Sequence, residues 1–418
     1  MGRLAYNLLL WLLLPQALLH LLWRARRQPA YREHVGERFG RYGFSLEQPV
    51  IWVHAVSVGE TRAAEPLIAA LKHRYPAHRI LLTHMTPTGR ETGMALFADG
   101  VARCYLPYDF PFAVGAFLDH FKPVCGVLLE TEIWPNLIRA CNNRDIPVYL
   151  ANARLSDKSL RRYLRFRKFA ATTLRGLTAI AAQSADDAAR FHELGAIEVN
   201  TVGNLKFDIA ADPALVERGA AWRLQYGPRR VLLLASTREG EEELFLQALV
   251  RSRFSDTLVV LVPRHPQRFD EIAGLLTQHA IPFQRRSRNE AVAASTQVLL
   301  GDSMGEMAAY YAACDVAIVC GSFLPFGAHN LIEACALGKP VVIGPHDYNF
   351  AEAVQLAVAG GAALQVDSAD AAVNAARALL DDDARKQRMS AAGLAFVGQH
   401  VGAARRLVDL IRLADQPA

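Results

Sequence analysis

The chain has 418 residues, 52% hydrophobic and 21% charged, which excludes a disordered or low-complexity protein and exceeds one ordinary core, so two domains are expected. Its six cysteines, at 104, 125, 141, 314, 320 and 335, form no C-x-x-C pair and several lie in apolar runs, which fits a reducing compartment and excludes a disulfide framework. The net charge of +5 is local: seven arginines before residue 46 face only Glu33 and Glu37, so the excess favours a membrane-surface contact at that end over a general nucleic-acid role.

Residues 4–23 are a Leu-rich run long enough to span a hydrocarbon core, interrupted by Asn7, Pro15, Gln16 and His20. No small-residue cleavage site follows, so a removable signal peptide is not expected. Arg24, Arg26 and Arg27 come next, and the positive-inside rule then puts the bulk of the chain in the cytoplasm. A single-pass anchor is the expectation. An interfacial helix lying among the headgroups is the alternative, and either one tethers the protein to a membrane.

Residues 50–53 read as a buried strand, 57–61 as a tight polar turn around Gly59, and 65–71 as a helix. That is the first half of a βαβ unit, and Glu60 sits at its carboxyl edge, where open α/β sheets bind ligands. Glu60 has two readings at this point: a functional carboxylate, or a first-turn acid favoured by the helix dipole. Further apolar runs at 79–83, 124–129, 147–150 and 177–181 alternate with helix-like segments, the pattern of a doubly wound parallel sheet. Glu130 and Glu132, before Ile133-Trp134-Pro135-Asn136, sit at another strand end, and Glu132 is expected to cap the helix after Pro135. Residues 160–175 interleave Arg161, Arg162, Arg165, Arg167 and Lys168 with apolar residues. Such a basic amphipathic helix suits an anionic surface or a phosphate, and equally a solvated face with snorkelling stems.

Lys206 lies near the domain junction, expected at 205–228. The alternation then restarts at 231–235, 258–262, 298–301, 316–320 and 341–344, a second doubly wound sheet. Four polar strand ends follow its strands: Ser236 to Glu241, Pro263-Arg264-His265, Asp302 to Glu306, and Gly321-Ser322-Phe323 leading to Gly327. A helix is expected to begin at Gly327, with Asn330 and Glu333 on one face and free N–H groups facing a phosphate. Arg264 is suited to pair with that phosphate. Together these clusters point to a nucleotide-linked donor. The D-x-D pattern occurs only at Asp381-Asp382-Asp383, and His54, His265 and His329 fit no common ligand spacing, so no bound metal is expected.

Five motifs, in this order, resemble the Kdo transferases of lipid A biosynthesis: His54-Ala55-Val56-Ser57-Val58-Gly59-Glu60, Glu130 to Asn136, Gly203-Asn204-Leu205-Lys206-Phe207-Asp208, Pro263-Arg264-His265-Pro266, and Gly327 to Glu333. That family moves 3-deoxy-D-manno-octulosonic acid (Kdo) from CMP-Kdo to the lipid A precursor. The resemblance implies an α/β GT-B fold, two Rossmann-like domains facing a cleft, after an N-terminal membrane-anchor helix. It implies inversion without a metal or other cofactor, at the cytoplasmic face of the inner membrane, with lipid IVA as acceptor and one or more Kdo units added. It makes Glu60 the base and Glu130 and Lys206 the transition-state partners. It assigns CMP to Pro263, Arg264, Met304, Gly305, Glu306, Asn330, Leu331, Ile332 and Glu333.

The expected organisation is an anchor at 1–45, an acceptor domain at 46–210, a linker at 211–228, a CMP-sugar domain at 229–385, and C-terminal helices at 386–418 that cross back to the first domain. Two rival readings are a sugar-nucleotide epimerase of the same build and a membrane-tethered scaffold without catalysis.

Overall fold

The computed structural model describes residues 2–252 and 256–413. Residues 1, 253–255 and 414–418, which belong to the expected anchor, CMP-sugar domain and C-terminal helices, lie outside the described residues. The chain divides into two units, Met1–Ile209 with Val401–Ala418, and Ala210–His400.

The first unit holds strands β1 (Val50–His54), β2 (Arg79–His84), β3 (Ala102–Tyr105), β4 (Pro123–Leu129), β5 (Val148–Ala153), β6 (Ala179–Ala182) and β7 (Val199–Thr201). They form one parallel sheet in the order β3-β2-β1-β4-β5-β6-β7. Every residue of β1 is buried, because helices cover both faces of the sheet. On one face Val50 and Trp52 pack with Phe117, Leu118 and Phe121. On the other, Ile51 and Val53 pack with Leu67, Ile68 and Leu71. Full burial of each such side chain is worth ~1.5–3 kcal/mol, so the central strand is the best-held element of the unit. The winding direction reverses between β1 and β4, which puts the switch point of this sheet at the ends of those two strands.

The second unit repeats the plan with β8 (Arg230–Thr237), β9 (Thr257–Pro263), β10 (Phe283–Arg285), β11 (Val298–Leu300), β12 (Val316–Val319), β13 (Val341–Ile343) and β14 (Ala363–Gln365). The order is β10-β11-β9-β8-β12-β13-β14, again parallel, with the switch between β8 and β12. The helix Pro213–Gln225, which falls in the expected linker, is part of this unit. Its Trp222 packs on Tyr310 at 5.2 Å between ring centres, and the Arg286 guanidinium lies over the same indole.

One expectation about helices needs correction. The basic stretch 160–175 is two helices, Asp157–Leu164 and Arg167–Leu174, because the backbone leaves the helical region at Phe166. The C-terminal helical run breaks at Gly402, whose φ of +95° suits glycine, and the short helix Ala403–Leu410 then packs on the first unit.

That last helix is pinned by Asp208, whose two carboxylate oxygens accept the Gly402 and Ala404 N–H groups. Leu407, Val408 and Ile411 fill the face lined by Leu67, Leu71 and Tyr75, and the Tyr75 hydroxyl donates to the Ile411 carbonyl at 2.7 Å. Asp208→Ala removes a cap of a kind worth ~0.5–2 kcal/mol. The expected outcome is a loss of that size in the urea-unfolding free energy, with a slope unchanged from wild type.

Candidate active site

At the end of β1 the chain turns into the helix Val58–Ala63, with Ser57 as its N-cap. The Ser57 hydroxyl oxygen accepts the Glu60 N–H, and the Glu60 side chain reaches back. One Glu60 oxygen accepts the Val56 N–H at 2.9 Å and the other accepts the Ser57 hydroxyl at 2.8 Å. This is a capping box, so the helix-start reading of Glu60 holds as geometry. Its electrostatics differ from those of a plain first-turn acid. Burial pushes the Glu60 carboxyl up to about 7, Glu130 and Glu132 push the same way, and the Val56 and Ser57 hydrogen bonds pull against them. An acid held near neutrality beside two more carboxylates is tuned for proton transfer.

Glu130 follows β4 directly and has a φ of +57°, a conformation that a non-glycine residue adopts at some cost. Its N–H donates to the Ala151 carbonyl, which extends the β4–β5 ladder by one step. Glu132 accepts the Trp134 indole N–H at 2.7 Å and lies 4.0 Å from His54 Nε2. That approach is not an ion pair. His54 is fully buried, with Nδ1 2.8 Å from the Thr83 hydroxyl, and burial pulls its pKa down to about 3, so the ring is neutral.

The expected capping role of Glu132 is not what the structure contains. The helix Pro135–Asn142 is capped by Asp109, which accepts the Asn136 N–H at 3.0 Å and the Leu137 N–H at 2.8 Å. Asp109 is itself only 2% exposed, and burial raises its pKa to about 6 despite those donors. Nothing in the sequence marks Asp109, because it comes from a loop 27 residues upstream of its partner. Lys206 lies on the 3-10 turn Leu205–Asp208, which is tied to β5 by the Leu205 N–H donating to Asn152 Oδ1 at 3.0 Å. The first unit thus carries Glu60, Glu130 and Lys206 at the ends of, or tied to, the three neighbouring strands β1, β4 and β5.

In the second unit Pro263 ends β9 and is buried, and the Arg264 N–H donates to the Thr237 carbonyl of β8. Met304 and Gly305 are exposed beyond the neighbouring β11, and Gly305 has a φ of +78°. Glu306 is already engaged, one of its oxygens accepting from Arg218 at 2.9 Å and from Arg286 at 3.2 Å. After β12 the expected helix start at Gly327 does not occur. The helix is Ile332–Ala336, because Gly327 and Ala328 have φ of +89° and +67°, outside any right-handed helix. Asn330 caps it, accepting the Ile332 N–H at 3.0 Å and donating to Glu333 at 3.1 Å. Leu331 and Ile332 are buried, so only their backbone groups are placed to meet a ligand.

Two residues outside the predicted set hold this edge together. Glu241 is fully buried and accepts three N–H groups, from Arg238 at 2.9 Å, Gly321 at 2.7 Å and Phe323 at 3.0 Å, joining the ends of β8 and β12. His329 has a buried Nε2 without a hydrogen-bond partner. Burial first, then the charges of Arg264, Arg238 and His265, lowers its pKa to about 3. The edge is therefore cationic around a neutral imidazole, a setting that favours an anion. Both residues stand in polar strand ends visible in the sequence, but their roles depend on partners far along the chain.

The first half of the chain, residues 33–209, matches the family model of 3-deoxy-D-manno-octulosonic-acid transferases, and residues 252–395 match that of group 1 glycosyl transferases. The chain is 44% identical to a 3-deoxy-D-manno-octulosonic acid transferase of Bordetella pertussis, over 98% of this chain and 99% of that one. It is 38% identical to the corresponding transferase of Haemophilus influenzae, over 99% and 98%. Among solved structures it is similar in fold to a UDP-GlcNAc 2-epimerase from Neisseria meningitidis, with a TM-score of 0.59 at 16% identity, covering 86% of this chain and 99% of that one.

Glu241→Ala strands three buried or half-buried donors, each costing ~1–3 kcal/mol. The expected outcome is a stability loss of several kcal/mol by urea titration, or insoluble protein. Glu241→Gln, which keeps one acceptor oxygen, loses less.

Proposed function

Since the chain belongs to the 3-deoxy-D-manno-octulosonic-acid (Kdo) transferase family, glycosyltransferases of the GT-B type, we propose that it transfers Kdo from CMP-Kdo to the lipid A precursor, lipid IVA, with inversion and without a metal. Glu60 is the base. It takes the proton of the acceptor hydroxyl as that oxygen bonds to the transferred carbon, while the bond from that carbon to the CMP phosphate breaks and the electron pair leaves with CMP. The transferred carbon passes through an oxocarbenium-like state, as in glycoside cleavage, with Glu130 and Lys206 as its partners. Negative charge grows on the departing phosphate, and Arg264 with the backbone N–H groups of the loop and cap at Asn330 to Glu333 are the groups assigned to it. CMP is assigned to Pro263, Arg264, Met304, Gly305, Glu306, Asn330, Leu331, Ile332 and Glu333.

The observation that carries this reading is the Glu60 carboxyl, held by two hydrogen bonds at the switch point of its sheet and raised to about 7. Glu306 enters the assignment with its carboxylate already paired to arginines, so its part in holding CMP is through the backbone or through those arginines. The epimerase alternative rests on fold alone, since the likeness to such an enzyme is at 16% identity. The family membership spans nearly the whole chain. The apolar helix near the N-terminus is long enough to cross a membrane, and we take it as the anchor that holds the enzyme at the cytoplasmic face of the inner membrane, beside its lipid acceptor.

Glu60→Ala is expected to leave CMP-Kdo binding intact by calorimetry and to abolish transfer, read by mass spectrometry of the lipid. Wild-type turnover in that variant would exclude Glu60 as the base. In wild type, kcat/KM for the acceptor is expected to rise as pH increases toward about 7 and to level off above it, because only ionised Glu60 accepts a proton. Glu132→Gln removes one of the charges that raise Glu60, so it should move this limb to lower pH. Neutralising Arg161, Arg162 and Arg165, all exposed, is expected to raise the acceptor KM and leave the donor KM unchanged. An equal effect on both would remove that role.

A further inference from the structure

The helix Arg3–Arg27 is about 37 Å long at 1.5 Å per residue, enough to cross a hydrocarbon core of ~30 Å. Its first two turns are nonetheless fastened to the first unit. The Tyr6 hydroxyl donates to Asp109 at 2.8 Å, and the Asn136 amide donates to Asn7 at 2.7 Å. Tyr6 packs on Phe169 and Trp11 on Phe110, at 5.6 and 4.9 Å between ring centres. The chain beyond the helix comes back to the same place. The Tyr108 N–H donates to the Arg38 carbonyl at 2.9 Å, one residue from Asp109. Arg38 is 2% exposed and lies 4.0 Å over the Tyr105 ring. Residues 6 and 38 are thus held by consecutive residues of one loop, although the rest of the helix, residues 7–27, lies between them.

A crossing helix has its two ends on opposite sides of the bilayer, and the polar loop 108–109 cannot stand on both. We propose that the N-terminal helix lies in the plane of one leaflet, with its N-terminus on the same side as the first unit, clipped there through Asp109. The five most exposed leucines fit this arrangement, with the less exposed Leu9, Leu13 and Leu18 to either side of their arc. Leu4, Leu8, Leu12, Leu19 and Leu22 are 60–88% exposed and fall within an arc of ~80° on a 3.6-residue helix. Tyr6, Asn7, Leu21 and Ala25 occupy a separate stripe, turned to the protein. The occupant of the leucine face is an anionic bilayer surface. Arg161, Arg162, Arg165, Arg167 and Lys168 are exposed on and between the two short helices, the second of which meets the anchor at Phe169, and acidic headgroups complement that charge. The same Asp109 caps the helix that follows Glu130 and Glu132, so seating on the membrane and the shape of that loop share one carboxylate.

The choice of lipid rests on the membrane-acceptor reading, but the test does not depend on catalysis, so the two fail separately. All six native cysteines are buried. Gly2→Cys and Glu47→Cys, both at exposed positions outside the site, are introduced singly into the full chain, which is reconstituted into phosphatidylglycerol-containing vesicles. Each is treated with a membrane-impermeant maleimide before and after detergent. The expected result is that the two positions label to the same fraction before detergent as after it, relative to each other. Labelling of Gly2→Cys and Glu47→Cys in complementary fractions that become equal only in detergent would overturn the proposal, since it places the two ends on opposite sides.

Discussion

A half-buried carboxylate at the end of β1 is the constraint around which the first unit is arranged. Its desolvation is offset in part by the Val56 N–H and the Ser57 hydroxyl, which also fix its direction. Both donors are placed by the turn that follows β1, and β1 is held by apolar side chains on its two faces. Glu130 and Glu132 arrive from the next strand over because the sheet reverses its winding there. Burial first, and then the charges of Glu130 and Glu132, raise the cost of ionising Glu60, which is how an ordinary glutamate comes to titrate near neutrality. The second unit solves the opposite problem. It gathers arginines around a buried, neutral imidazole, and a buried glutamate takes up the N–H groups that the loops would leave unpaired.

Much of this was legible in the sequence, and the part that was not has a common cause. The central strands announce themselves as apolar runs because both of their faces are covered. The four strands that gave no such run, β3, β7, β10 and β14, are the four sheet edges. They are three or four residues long and partly exposed, so no continuous apolar signal survives. Glu60 was legible as a position, since it stands in the polar turn between a buried strand and a helix. Its elevated pKa was not, because the burial that chiefly raises it is tertiary and the charges that add to it come from residues 70 and more positions away. Asp109 left no trace at all, as its meaning lies entirely in the tertiary partners Tyr6, Asn136 and Leu137. The helix misplaced at Gly327 shows a different failure. Glycine followed by a polar cap reads as a helix start, but two residues with positive φ postpone it to Ile332.

The likeness to curated transferases runs along almost the whole chain and fixes the reaction class. The fold alone would not have done so, since an epimerase shares it. At its strand ends this chain carries acids in the first unit and arginines in the second.

The return of residues 401–413 to the first unit has a consequence for how the protein is made. Ala403, Leu407, Val408 and Ile411 belong to the same apolar cluster as Ile51 and Val53 of the central strand. The whole of Ala210–His400 is therefore inserted into the first unit. During synthesis the first unit therefore cannot close until residues 401–411 have been made, after the whole of Ala210–His400. Until then the apolar face at Leu67 and Leu71 is uncovered, so a chain that stops before residue 401 leaves that surface open to aggregation.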